Sequence, residues 1–163
     1  MCGIMGYTGP LDASEVILNG LEQLEYRGYD SAGLALTGVD STISIFKKVG
    51  KVANLKAEKS QMPSNAHTGI GHTRWATHGG VTDINAHPHR AGRVTLIHNG
   101  IIENYLELKK DLIAKGYEFI SETDTEVVAH FLDSLYEVDL LEAVKKSLTI
   151  INAAYALGMM SIS

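Results

Sequence analysis

Apolar positions along the chain repeat with two different periods, and the places where the period changes mark its elements. Gly3–Thr8 alternates small and apolar residues, the two-residue period of a strand. Residues 10–14 read as a turn with Ser14 as helix N-cap, after which Ile17, Leu18, Leu21 and Leu24 form a helical stripe expected to stop at Gly28. Leu34 and Leu36, then Ile43 and Ile45, alternate as two strands, with Asp40-Ser41 as the hairpin turn between them. Residues 52–60 are weakly helical until Pro63. Thr68, Ile70, His72 and Arg74 alternate with small residues, which predicts a strand whose last positions carry polar side chains to an edge or cleft.

Residues 75–92 have no periodicity and contain Gly79-Gly80 and Pro88, so they read as a long loop of the functional kind. Val94, Leu96 and His98 alternate again up to Asn99-Gly100. Tyr105, Leu108, Leu112 and Ile113 predict a helix ending at Gly116, and Val127, Val128, Phe131, Leu132 and Leu135 predict a second. A third is expected from about residue 139 to residue 151, with Leu140, Leu141, Val144 and Leu148 on one side, followed by a strand over residues 155–162. Strands followed by helices favour an α+β fold, an antiparallel sheet covered by helices, over a doubly wound parallel sheet.

Composition narrows the function classes. With 163 residues the chain is about one domain with one real core, and a net charge of −5 with scattered lysines argues against a nucleic-acid surface. The first residues carry Asp12 and Glu15 and lack a basic, apolar signal pattern. Residues 147–163 hold no charge but are too polar and short for a membrane span. One cysteine allows no intrachain disulfide and fits a reducing, cytoplasmic setting, leaving a small molecule or another protein as partner.

That cysteine, Cys2, is one bond from the N-terminus. Loss of Met1 would place a thiol and a free α-amine on one residue, nucleophile beside base, with Gly3 allowing a substrate close to the backbone. The ordinary alternative is a half-buried cysteine without a role. Arg74 is suited to gripping a carboxylate with two parallel hydrogen bonds, or to a surface ion pair. Trp75 is either a lid or a core residue, and composition favours core. Asn99-Gly100 reads as a hairpin turn or as an oxyanion hole, and Asp124 as a helix-start charge or as a site for an ammonium group. The histidines His72, His78, His87 and His89 invite a metal, but their spacing matches no metal motif. No glycine-rich phosphate loop is present.

Five stretches taken together carry a resemblance: Met1-Cys2-Gly3-Ile4, residues 24–33 (Leu-Glu-Tyr-Arg-Gly-Tyr-Asp-Ser-Ala-Gly), residues 72–79 (His-Thr-Arg-Trp-Ala-Thr-His-Gly), residues 98–104 and residues 121–126. Over residue 1 to about 160 the chain resembles the glutaminase domain of the glutamine–fructose-6-phosphate aminotransferases. The resemblance implies an N-terminal nucleophile hydrolase fold, a four-layer α/β/β/α sandwich with antiparallel sheets. It implies that Cys2, exposed by loss of Met1, attacks the side-chain amide of L-glutamine, that Asn99 and Gly100 hold the oxyanion, and that water hydrolyses the glutamyl thioester after ammonia leaves. Arg74 matches the residue that grips the α-carboxylate and Asp124 the one that binds the α-ammonium. Thr77 and His78 match the same pocket wall, and Trp75 a mobile loop closing over glutamine. No cofactor or metal is implied.

Members of that family carry a longer glutaminase domain and then a sugar-isomerase domain that binds fructose 6-phosphate. Residues 1–163 are therefore expected to be a partial domain, incomplete at its C-terminus, with an uncharged tail short of partner strands and an edge open to homo-oligomer formation. With Met1 retained the amine would be an amide and the chain a catalytically silent glutamine binder. A histidine-dependent metallohydrolase is the remaining reading.

Overall fold

Two antiparallel sheets face each other in the computed structural model, which describes residues 1–38 and 40–162. The first sheet has the order β1-β4-β2-β3, from β1 (Gly3–Thr8), β2 (Ser31–Thr37), β3 (Ile43–Val49) and β4 (Thr68–Arg74). The second, in the order β5-β6-β7, is built from β5 (His89–Ala91), β6 (Val94–Gly100) and β7 (Tyr155–Ser161).

Helix α1 (Ala13–Leu24) buries Ile17, Leu18 and Leu21 against the outer face of the first sheet, where they join Leu34, Leu36 and Leu55 of α2 (Val52–Lys56). Gly69 lets α1 approach closely, since a Cβ there would stand 2.6 Å from Ile17 Cδ1. Helices α3 (Tyr105–Ala114) and α4 (Asp124–Ser134) cover the second sheet with Leu108, Leu112, Val127, Val128 and Leu132, while α5 (Leu140–Ser147) packs beside α4. Between the sheets lie Ala35, Ile43, Ile70, Ile97 and Met160. The layer order is therefore helix, sheet, sheet, helix, the α+β sandwich expected from the sequence.

Four readings of the sequence need correction. Asp12, not Ser14, caps α1: its carboxylate accepts Ser14 N at 2.9 Å and Ser14 Oγ at 2.6 Å, so the helix starts two residues earlier, at Ala13. The stretch from 75 to 92 contains β5, whose three residues pair with β6 from His89↔Leu96 to Ala91↔Val94 and are too short to show a period. Helix α5 ends at Ser147, whose carbonyl accepts both Ile150 N and Ile151 N and turns the chain off the helix. The uncharged tail does have a partner strand, because β7 pairs with β6 from Val94↔Ser161 to Gly100↔Tyr155. Among the described residues β7 lies at the edge of its sheet, and no helix is long and apolar enough to cross a membrane.

Candidate active site

Sheet register brings the start of the chain to the end of β4. Gly3 pairs with Thr73, so Cys2 lies beside Arg74 and Trp75, and its Sγ accepts the Trp75 N–H at 3.3 Å. Gly3 is needed for packing: a Cβ would stand 2.6 Å from Thr73 Oγ1 and 2.7 Å from Leu24 Cβ. Burial pushes the Cys2 thiol up, while the Trp75 N–H, the chain's amino terminus and Arg74 pull it down. The upward push prevails, so a base must take the proton before the sulfur can act as a nucleophile.

Cys2 opens on a small cavity, continuous with solvent, whose walls include Arg74, Thr77, His78, Gly100 and Asp124. Arg74 is 3% exposed, and its guanidinium donates to the carbonyls of His78, Gly79 (3.4 Å) and Gly80 (2.9 Å), so the loop after β4 is wrapped around the cation. Asp124 opens α4 behind its N-cap Thr123, whose hydroxyl accepts Glu126 N at 3.2 Å. Its carboxylate accepts Ile102 N at 3.0 Å and stands 3.9 Å from His98 Nδ1. A buried cation and a buried carboxylate thus face one small cavity beside the only thiol, the charge pattern an α-amino acid requires.

Asn99 and Gly100 end β6. No hairpin forms there: β6 pairs with β5, which precedes it, and with the distant β7, and Gly100 takes φ +144. Asn99 borders, with Cys2, Trp75 and Gly100, an adjoining solvent-open recess, so Cys2 stands between the two spaces. Trp75 is 48% exposed and meets Tyr29 edge to face at 6.0 Å, which excludes the core reading.

The sequence drew attention to histidines but not to the buried group they form beside this cavity. His72, His87, His89 and His98 are all buried and lie together between β4, β5, β6 and α4. His98 N donates to His87 Nδ1 at 3.3 Å, which leaves the His87 proton on Nε2, facing Thr125 Oγ1 at 3.2 Å. His98 Nδ1 meets the same hydroxyl at 3.2 Å, and His72 Nε2 faces the His98 carbonyl at 2.9 Å. Burial pushes His72 and His89 down to about 3 and His87 well below the usual imidazole range, so the cluster is neutral. These histidines face protein partners, and no group of three or more His, Cys, Asp or Glu among the described residues is arranged to hold a metal. Strand alternation marked His72 and His98; His87 and His89 sit where no period exists.

Fold and register together define an N-terminal nucleophile amidotransferase domain. The glutamine phosphoribosylpyrophosphate amidotransferase of B. subtilis superposes with a TM-score of 0.85 at 27% identity, over 100% of this chain and 36% of its own. An allosteric regulatory enzyme of purine biosynthesis gives 0.86 at 28% identity, with the same coverage. The chain belongs to the glutamine amidotransferase domain family, which matches residues 39–146. Relatives named glutamine–fructose-6-phosphate aminotransferase (isomerizing) are 54% identical over 158 residues in Thermus thermophilus and 50% over 163 residues in Clostridium acetobutylicum. The one from Fusobacterium nucleatum is 55% identical over 162 residues. The alignments cover 96%, 99% and 98% of this chain but only 26%, 27% and 26% of the relatives, so the chain spans about a quarter of their length.

Proposed function

We propose that this chain hydrolyses L-glutamine to glutamate and ammonia with Cys2 as nucleophile. The observation that carries the reading is the thiol of Cys2 opening on a cavity lined by both Arg74 and Asp124. Arg74 would receive the α-carboxylate and Asp124 the α-ammonium, with Thr77 and His78 in the same lining. Both recognition groups are buried and anchored by backbone contacts, so little ordering is left for the substrate to impose.

Loss of Met1 would give Cys2 the α-amine that removes the thiol proton. The sulfur then adds to the amide carbon, with the Asn99 side-chain amide and the Gly100 N–H receiving the oxyanion. The C–N bond breaks, and ammonia leaves with the proton the amine had taken. Water cleaves the glutamyl thioester and restores the thiol. Trp75, on the exposed lip of the site, is suited to cover the bound amino acid and exclude bulk water. The relatives' name gives the ammonia a destination: amination of fructose 6-phosphate, carried out by the part of those proteins that this chain does not span. A working free thiol fits a cytoplasmic setting.

The test is intact-mass analysis before and after incubation with an L-glutamine analogue in which a chloromethyl ketone replaces the carboxamide. Chloride leaves as the thioether forms. Loss of Met1 and one adduct per chain, mapping to Cys2 and prevented by excess glutamine, is the expected result, with no glutamate release by Cys2→Ala. A Cys2 that ignores the analogue, or glutamine hydrolysis by Cys2→Ala, overturns the reading.

A further inference from the structure

Asn85 is outside the cavity lining, yet it ties together the segments that bear the cavity's two charged residues. It is 2% exposed, and its carboxamide is fully used. Nδ2 donates to the Gly80 carbonyl at 3.0 Å and to Glu122 Oε2 at 2.8 Å, while Oδ1 accepts the Glu122 N–H at 3.0 Å. Glu122 Oε2 also accepts the Gly80 N–H at 3.0 Å, which closes a ring of four hydrogen bonds between residues 80, 85 and 122. One side of that ring is the loop whose carbonyls wrap Arg74, the Gly80 carbonyl being shared by Asn85 and Arg74. The other side lies two residues before Asp124. Gly79 seals the joint: at φ +79, a Cβ would stand 2.9 Å from both Asn85 Nδ2 and Glu122 Cβ.

An amino acid places its ammonium and carboxylate on one carbon, so a site that grips both must hold its two counter-charges at a fixed span. The cross-link through Asn85 and Glu122 is the direct connection between the loop bearing the Arg74 contacts and the segment bearing Asp124. We propose that Asn85 and Glu122 are a positioning pair that sets the Arg74-to-Asp124 span and thereby selects substrates carrying a free α-amino acid group; the proposal rests on the glutamine reading above. Neither residue touches substrate. Both act by holding residues 78–80 against residues 121–124, and Glu122 does so from the surface, where replacing it leaves the core intact.

The sole cysteine supplies the assay. Alkylation of Cys2 by the chloromethyl ketone analogue needs both α-groups, whereas alkylation by iodoacetamide needs neither, and both rates are read by intact mass on the full chain. Glu122→Ala and Asn85→Ala are expected to raise the half-saturating analogue concentration about tenfold, the worth of one charge-assisted hydrogen bond, with the saturated rate and the iodoacetamide rate within about twofold of the parent. Glu122→Gln keeps an oxygen acceptor and is expected to restore most of the affinity. Unchanged half-saturation in Glu122→Ala and Asn85→Ala overturns the proposal, and so does an equal loss toward iodoacetamide, which would mean general damage to the thiol's surroundings. If the parent chain reacts with iodoacetamide but shows no saturable reaction with the analogue, the glutamine reading itself fails, an outcome distinct from a latch that proves inert.

Discussion

Ile70 and His72 are two positions apart on β4 and face the same layer, yet they are buried in opposite ways. Ile70 sits in hydrocarbon with Ala35, Ile43, Ile97 and Met160. His72 stacks on His87 at a ring distance of 4.0 Å and points Nε2 at the His98 carbonyl. Two positions further on the same face comes Arg74, fully charged beside the cavity. The strand's inward face therefore grades from apolar to neutral polar to ionic as it nears the thiol. Hydrocarbon provides cohesion without direction, and imidazoles provide direction without net charge, so they can lie against Arg74 without repelling it.

The largest expected effect breaks the apolar end. Ile70→Ala removes buried methyl groups from a closed cluster and is expected to cost about 2–5 kcal/mol in urea unfolding followed by circular dichroism. Cys2 alkylation by the glutamine analogue should be unchanged below the unfolding transition, because that end supplies cohesion and no site geometry.

This gradient was half legible in the sequence. The alternation of Thr68, Ile70, His72 and Arg74 announced a strand with polar residues toward a cleft, and the strands and helices around it carried their periods openly. What the sequence could not show is contact between distant segments that lack any period. His87 and His89 lie on a stretch whose only strand is three residues long, and nothing local marks Thr125 as the hydroxyl on which two imidazoles meet. Asn85 is equally silent in sequence, since its role exists only once residue 122 is folded against it. Asp124 was visible as a helix-start acid, but its grip on Ile102 N depends on where β6 ends. Helix starts misled by a residue or two for a local reason: Asp12 and Ser14 can both cap, and the carboxylate accepts two bonds.

The imidazole end is sharpened by acid. His72 and His89 are held down to about 3 in the fold, against about 6.5 in the unfolded chain. Between those values the unfolded chain binds protons that the folded chain refuses, so stability rises with pH and is lost as pH falls below about 6.5. The slope expected is about 1.4 kcal/mol per pH unit for each imidazole. Glu126 does not blur this window. Burial opposes its carboxylate, but His130, Ile120 N and Ser121 outweigh that and hold it down to about 2, so its contribution is lost only below the ordinary glutamate range. Unfolding free energies measured from pH 6.5 to 4.5 should show the slope, and His72→Gln should reduce it by one imidazole's share. A flat profile in the parent chain would mean that these rings are not held neutral.

The smallest effect separates direction from packing at Thr125. Its hydroxyl meets His87 Nε2 and His98 Nδ1, both at 3.2 Å, and the residue is 0% exposed. Thr125→Val preserves shape and adds hydrophobicity but leaves the His87 N–H without its acceptor, an expected loss of about 2 kcal/mol. Thr125→Ser keeps the hydroxyl and loses one methyl, an expected loss of about 0.8 kcal/mol. A packed layer like that around Ile70 would rank the two variants the other way, with Val the milder change. Urea unfolding of both at pH 7 therefore decides whether the polar end of the layer is held by its hydrogen bonds, and with them the two imidazoles that border Asp124 and the cavity.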